Sequence, residues 1–378
     1  MVNAALTVVA AALLALVPIQ AQAPENRERL LAQGWAELAA GRPAGAARAA
    51  ARVLDKAPRD HDAASLAVAA GLATGGAARA LETYERWVRA SGRDDLMLLE
   101  DIAAAELRVL STSAEARILY PALVALAKFG DVAARQRLRE LAKDTSIGVE
   151  ADAALAAAGD PAGAGRLRAR IAAGGREDKS RAIEAMKSSG DTAAAGAIAQ
   201  ALKDPSPPSR IAAAQALAEL GATQTIPLLR EAEADPEPSV RGAVQTALAL
   251  LGDPERTDVL KSLQDSPLAD YRLLAARQAA SRDPRGTWVA AVEAMLGDAD
   301  PVIRLQAAEL LLLHGHTAAA DSVMSGALND SSGPLRAVAA RVLGKIPLDL
   351  RGLTALRVML RDPLPDVRLE AARALLIS

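Results

Sequence analysis

The stretch Asp362–Leu376 reads DPLPDVRLEAARALL. It sets an aspartate and two prolines in a turn, places an arginine just beyond, and runs on through alanine and leucine. Four upstream stretches share the layout: DPSPPSRIAAAQAL (Asp204–Leu217), DPEPSVRGAVQTAL (Asp235–Leu248), DADPVIRLQAAELL (Asp298–Leu311) and DSSGPLRAVAARVL (Asp330–Leu343). A looser copy, DSPLADYRLLAARQA, occupies Asp265–Ala279. The arginines Arg210, Arg241, Arg272, Arg304, Arg336 and Arg368 recur at spacings of 31, 31, 32, 32 and 32 residues. Asp204, Asp235, Asp298, Asp330 and Asp362 each lie six positions before an arginine, whereas Asp265 lies seven before Arg272.

Each copy has a physical reading. Proline presets the turn dihedral, and aspartate can cap free N–H groups of the next helix. Small or apolar residues three, four and seven positions after the arginine, as in Ala307, Ala308 and Leu311, make a helical stripe and not a strand alternation. Glycine then stops the helix, at Gly221, Gly252 and Gly315. A second apolar-periodic segment follows, as in Thr225–Ala234 and Leu350–Arg361. Two antiparallel helices in about 31 residues cannot bury their faces alone, so the units must stack. The frame continues upstream through Lys179 and Gly148, which gives about eight units over residues 114–378.

The pattern D-P-x-P-x-V-R-x-x-A-A-x-A-L followed by glycine resembles HEAT repeats, in particular the short bilin lyase (PBS lyase) type. That resemblance implies an all-α, right-handed α-solenoid of stacked antiparallel helix pairs. It also implies that the Asp and Arg positions form a structural ladder between units, and it implies little about activity. Residues 24–110 follow a different period. LAAGRPAGAARAAARVL (Leu38–Leu54) and LATGGAARALETYERWV (Leu72–Val88) align at an offset of 34 residues. Trp35, Gly41, Ala46 and Pro58 make this segment resemble a pair of tetratricopeptide (TPR) repeats, and Asp95–Leu110 reads as a closing helix.

Composition narrows the function classes. Hydrophobic residues make up 51% of the chain and aromatic residues 2%, so the core is aliphatic and alanine-rich. Few aromatics, and 44 Lys+Arg against 46 Asp+Glu, argue against nucleic-acid partners. With no cysteine, thiolate metal sites, disulfides and cysteine nucleophiles are excluded. At the N-terminus, an apolar run from Ala4 to Val17 precedes Pro18 and small residues, the layout of a secretory signal peptide. Cleavage after Ala21 is expected, because Pro24 would hinder a cut after Ala23. Residues 1–21 then form the signal, and the mature protein is periplasmic or secreted, with no membrane association. Because the n-region lacks Lys and Arg, an N-terminal membrane anchor is the alternative. No other segment reads as transmembrane.

No residue set points to catalysis, to a cofactor or to a metal. His61 and the pair His314 and His316 read as loop residues. G-x-S-x-G, H-E-x-x-H and Walker-type motifs do not occur. The repeat arginines read first as ladder partners of the aspartates. Five positions after them stand Gln215, Thr246, Arg277, Glu309, Arg341 and Arg373, off the apolar stripe. Of these, Arg277, Arg341 and Arg373 form the candidate basic patch for a partner. The expected function is an exported, non-enzymatic scaffold for a protein or peptide. A structural part of an envelope assembly and a bilin lyase-like enzyme are the alternatives. Since no helix follows Leu375, the C-terminal repeat is expected to expose an apolar face, open to a partner or to self-association.

Overall fold

The computed structural model describes residues 26–144, 147–189, 194–283, 286 and 288–377, so the expected signal at residues 1–21 lies outside the described residues. The described residues form 21 α-helices, with short 3-10 turns and no strand. They divide into two compact units, residues 1–106 and 107–378.

The first unit contains α1 (Arg27–Ala39), α2 (Pro43–Lys56), α3 (His61–Ser91) and most of α4 (Leu96–Leu110). By length and composition alone α3 could cross a membrane, contrary to the expectation that no segment beyond the signal is transmembrane. Its backbone shows otherwise. Gly75 and Gly76 leave the helical region, and Gly76 has φ +64°, a left-handed value that favours glycine. The chain folds back there, so that a Cβ on Gly71 would sit 3.0 Å from Ala80 Cα. The segment is therefore a helical hairpin whose apolar face is spent inside the unit. Leu30, Leu31, Ala46, Ala50, Leu66 and Ala70 form its core with α1 and α2.

The second unit is built from helix pairs. They are α5 (Ala116–Lys128) with α6 (Val132–Leu141), α7 (Gly148–Ala157) with α8 (Pro161–Ala173), α9 (Arg176–Ser189) with α10 (Ala195–Gln200), and α11 (Pro207–Glu219) with α12 (Ile226–Glu231). Next come α13 (Pro238–Leu251) with α14 (Thr257–Gln264), α15 (Ala269–Arg282) with α16 (Trp288–Met295), α17 (Pro301–Leu313) with α18 (Thr317–Leu328), and α19 (Gly333–Leu343) with α20 (Leu350–Met359). A last helix, α21 (Pro365–Ile377), has no second helix. Proline opens α11, α13, α17 and α21, where a missing N–H costs no helical bond. The stripe positions are fully buried, as at Ala213, Ala214 and Leu217, Ala307, Ala308 and Leu311, and Ala371, Ala372 and Leu375. The architecture is the expected all-α solenoid.

Its ends depart from expectation. Consecutive first helices pack on one another through the whole unit, and α21 packs on α5. Arg117 at the start of α5 forms an ion pair with Asp366 in the first turn of α21. The array therefore closes on itself. The apolar face expected to stand open at the C-terminus is covered by the chain's own first repeat, which leaves Leu375 fully buried and Leu376 half-buried. The reason is geometric: each pair turns the stack slightly, and the ninth first helix arrives beside the first.

An open array frays from its ends, whereas a closed one has none. Amide hydrogen exchange should thus find α21 as protected as α13 in the middle of the array. Leu375→Ala should cost about 2–5 kcal/mol of unfolding free energy, the usual range for emptying a buried leucine site. Rapid exchange throughout α21, with a negligible effect of Leu375→Ala, would mean that the ends part in solution.

Candidate functional site

The ladder arginines work in up to two directions: every copy ties its own turn, and Arg210 and Arg336 also grip the next unit. Within its own unit, Nη1 donates to the carbonyls six and five residues earlier. Arg210 reaches Asp204 O (2.8 Å) and Pro205 O (3.2 Å), and Arg304 reaches Asp298 O (2.7 Å) and Ala299 O (3.1 Å). Arg241, Arg336 and Arg368 do the same in their units. Toward the next unit, Nε and Nη2 meet an aspartate. Arg210 forks onto Asp235 (2.7 and 2.8 Å), and Arg336 forks onto Asp362 (2.7 and 2.9 Å). Lys179 pairs with Asp204 at 2.8 Å, and Arg272 approaches Asp298 at 3.7 Å.

The aspartates also work twice. Asp204, Asp235, Asp298, Asp330 and Asp362 each accept the backbone N–H two residues on, at 2.7–3.0 Å. They hold the turn that enters the helix, and do not bond the helix's first free N–H groups as the sequence suggested. The loose copy resolves here as well. Ser266, six positions before Arg272, accepts from Leu268 N (3.2 Å) and offers its carbonyl to Arg272 (2.9 Å). The register is unbroken: the Ser266 hydroxyl, and not Asp265, takes the place of the ladder aspartate.

A second ladder escaped the sequence reading. At the turn between the two helices of a unit, Asp131, Asp160 and Asp253 accept local backbone N–H groups. They also accept from Arg108 (3.0 Å) near the end of α4, and from Arg139 (2.9 Å) and Arg230 (2.7 Å) of the preceding helix pair. Its signal was present as the Gly-Asp pairs at 130–131, 159–160 and 252–253.

The candidate partner-binding arginines are not alike. Arg341 and Arg373 converge on one carboxylate, buried Glu370, at 3.1 Å each. Arg277 is exposed on α15, two units away. Glu309, in the same register, is buried and pairs with Lys345 at 3.0 Å, so this position is not a uniform solvated stripe. The histidines are tied in as well. His61 begins α3 and bonds Asp95 at 2.9 Å. His314 and His316 stand edge-on to the buried Trp288 ring, with centroids 5.2 and 5.8 Å away.

A cavity of about 720 Å³ opens in the first unit between α2 and the two arms of α3. Ala67, Gly71 and Trp87 form its buried floor, and Ala47 and Ala51 its wall. Arg48, Arg79 and Arg86 stand exposed around it, against a single acidic lining residue, Asp55. Local packing fixes the floor. Tyr84, fully buried, accepts from Asp95 N (2.6 Å) and donates to Asp94 (3.1 Å), and Trp87 lies 5.9 Å from the Tyr84 ring. Burial pushes the Tyr84 hydroxyl pKa up, so it stays a neutral donor. The Trp87 Nε1–H is buried without a hydrogen-bond partner.

Residues 194–281 and 289–376 match the family model for HEAT repeats. No curated protein matches the chain. Among solved structures, human deoxyhypusine hydroxylase in complex with glycerol aligns over 66% of this chain and 98% of its own, at 18% identity and a TM-score of 0.31. The complex of CpcE and CpcF of phycocyanin lyase from Nostoc sp. PCC7120 aligns over 68% of this chain and 93% of its own, at 17% identity and a TM-score of 0.33. Residues 194–281 and 289–376 are therefore HEAT repeats, part of a helical repeat scaffold.

The ladder makes two measurable demands. Arg336→Ala removes a forked ion pair together with the carbonyl bonds, while Arg241→Ala removes bonds to carbonyls of its own unit. The first should lower the unfolding free energy by about 1–3 kcal/mol more than the second in urea denaturation. Acid should also loosen the array. The hydrogen bond from Arg230 holds the Asp253 carboxyl down to about 2, and that from Arg210 holds Asp235 below the usual range. A depressed carboxylate gives its full stabilisation above the unfolded value near 4, and loses it as pH falls through the folded value. The stability gap between the native chain and Asp253→Asn should therefore narrow from pH 4 to pH 2 in thermal melts. A constant gap would show that the Asp253 charge contributes nothing.

Proposed function

We propose that this HEAT-repeat protein is an exported, non-enzymatic scaffold that holds a protein partner, and that the groove of its first unit is the primary contact. The groove carries this reading: a concave, small-residue floor with charged side chains around it, on a hairpin fixed by its own core, suits an extended segment of another chain. In the second unit, by contrast, the arginines and aspartates at the turns are consumed in holding repeats together. The pattern of residues 1–21 supports export. A bilin lyase-like activity rests on the repeat resemblance alone, which is a property of the fold and not of a site.

Two measurements test the proposal. Protein recovered from the host envelope should begin at Gln22 on N-terminal sequencing; a full-length chain held in the membrane pellet would overturn export in favour of an anchor. A photo-crosslinking amino acid at Ala47 should capture a discrete partner in intact cells, and the same probe at exposed Asp258, on α14 of the array, should not. Equal capture at both positions, or at neither, would remove the groove as the primary contact.

A further inference from the structure

The groove has a charge and a length, and together they specify its occupant. We infer that it binds an extended, acidic peptide segment of the partner; this deepens the reading above and rests on it. The charge comes from Arg48 on α2 and from Arg79 and Arg86 on the second arm of α3, opposed within the lining by Asp55 alone. Arg79 and Arg86 are seven positions apart, two turns of one helix face, with Thr83 between them. Their present bonds are shallow. Arg79 meets exposed Glu82 at 3.0 Å, and Arg86 reaches the Glu82 carbonyl (3.4 Å) and Thr83 Oγ1 (3.3 Å). Such contacts contribute little at an exposed surface, so an incoming carboxylate can replace them at small cost. The forked guanidinium is the side chain best matched to a carboxylate.

The length comes from α2. Groove residues on this helix run from Ala44 to Asp55, a rise of roughly 16 Å. An extended chain covers that distance in about five residues. The floor of Ala67 and Gly71 admits close approach of a backbone or of a small side chain. A segment that alternates carboxylates toward the arginines with small residues toward the floor meets both demands. The lining indole of Trp87 supplies an intrinsic reporter, since filling the groove changes its surroundings.

The experiment uses two fluorescein-labelled, amidated octapeptides, four Glu-Ala repeats and four Gln-Ala repeats, titrated against the mature full chain by fluorescence anisotropy at low and high salt. The Glu-Ala peptide should bind at least tenfold tighter than the Gln-Ala peptide, and the preference should shrink with salt. Each of Arg48→Gln, Arg79→Gln and Arg86→Gln should weaken it by roughly two- to fivefold, and the triple variant by tenfold or more. Arg277→Gln should leave binding unchanged, and circular dichroism should show all variants equally folded. Equal affinity for the two peptides would overturn the acidic preference and leave the groove reading standing. A preference that survives the triple variant would place the site elsewhere and overturn this assignment. Binding by neither peptide would overturn the inference, while capture at Ala47 would still decide whether the groove meets a partner.

Discussion

The array depends on a guanidinium that serves two masters. One edge of each ladder arginine closes the turn of its own unit by bonding two carbonyls, and in the well-formed copies the other edge grips the aspartate of the next. Tertiary contact and local turn are thus made by a single side chain, so a unit that loses its neighbour also loses the anchor of its aspartate. These pairs are not ordinary surface ion pairs. The Arg210 and Asp235 side chains are 11% and 7% exposed, and both partners keep further hydrogen bonds. The burden of desolvating the charges is met by a nearly complete set of partners. Lysine can supply the charge, as Lys179 does, but not the fork.

Closure changes what this ladder must achieve. In an open solenoid the terminal units have one neighbour each and need polar caps. Here α5 and α21 are each other's neighbour, and the alanine-rich stripe at the C-terminal end is covered without a dedicated cap. The joint itself is chemically different from the others. Arg117 falls in the ladder frame, yet its partner, Asp366, is one turn further into its helix than a ladder aspartate. Both side chains are substantially exposed, so the ion pair adds little, and the fully buried apolar positions of α21 carry the joint.

Much of this was legible because repetition amplifies weak signals. One D-P-x-P-x-x-R stretch says little, whereas six arginines in register, three of them with that full pattern, fix the period, the turn, the buried stripe and the helix order. What repetition cannot encode is what happens once. The meeting of α5 with α21 joins residues 249 positions apart, and no period marks it. The hairpin at Gly75 and Gly76 lies within the repeat of 34 residues, but its closeness at Gly71 and Ala80 depends on packing. Among the groove arginines, Arg48 lies on a different helix from Arg79 and Arg86, and the seven-residue spacing of that pair does not distinguish it from a solvated face. The candidate trio Arg277, Arg341 and Arg373 shows the opposite failure. Equal register suggested equal surroundings, but Glu370, a buried acid outside that register, draws two of the three together.

The serine at position 266 shows which of the aspartate's two tasks the fold can release. A hydroxyl can accept the N–H two residues on, and Ser266 does so at 3.2 Å. It offers no negative charge to the arginine of the preceding unit, so Arg241 is left with its own turn, which it still ties at 2.8 and 3.0 Å. The local task is kept and the intermolecular-like grip between units is given up. Stacking nevertheless continues through this joint, because Val244, Leu248, Leu273 and Ala276 remain buried there. Turn geometry is therefore the stricter demand on the repeat, and charge pairing reinforces an apolar contact that already sets the stack. A serine fits this position for the same reason that a glutamate would not: its oxygen is close enough to its own backbone to shape the turn.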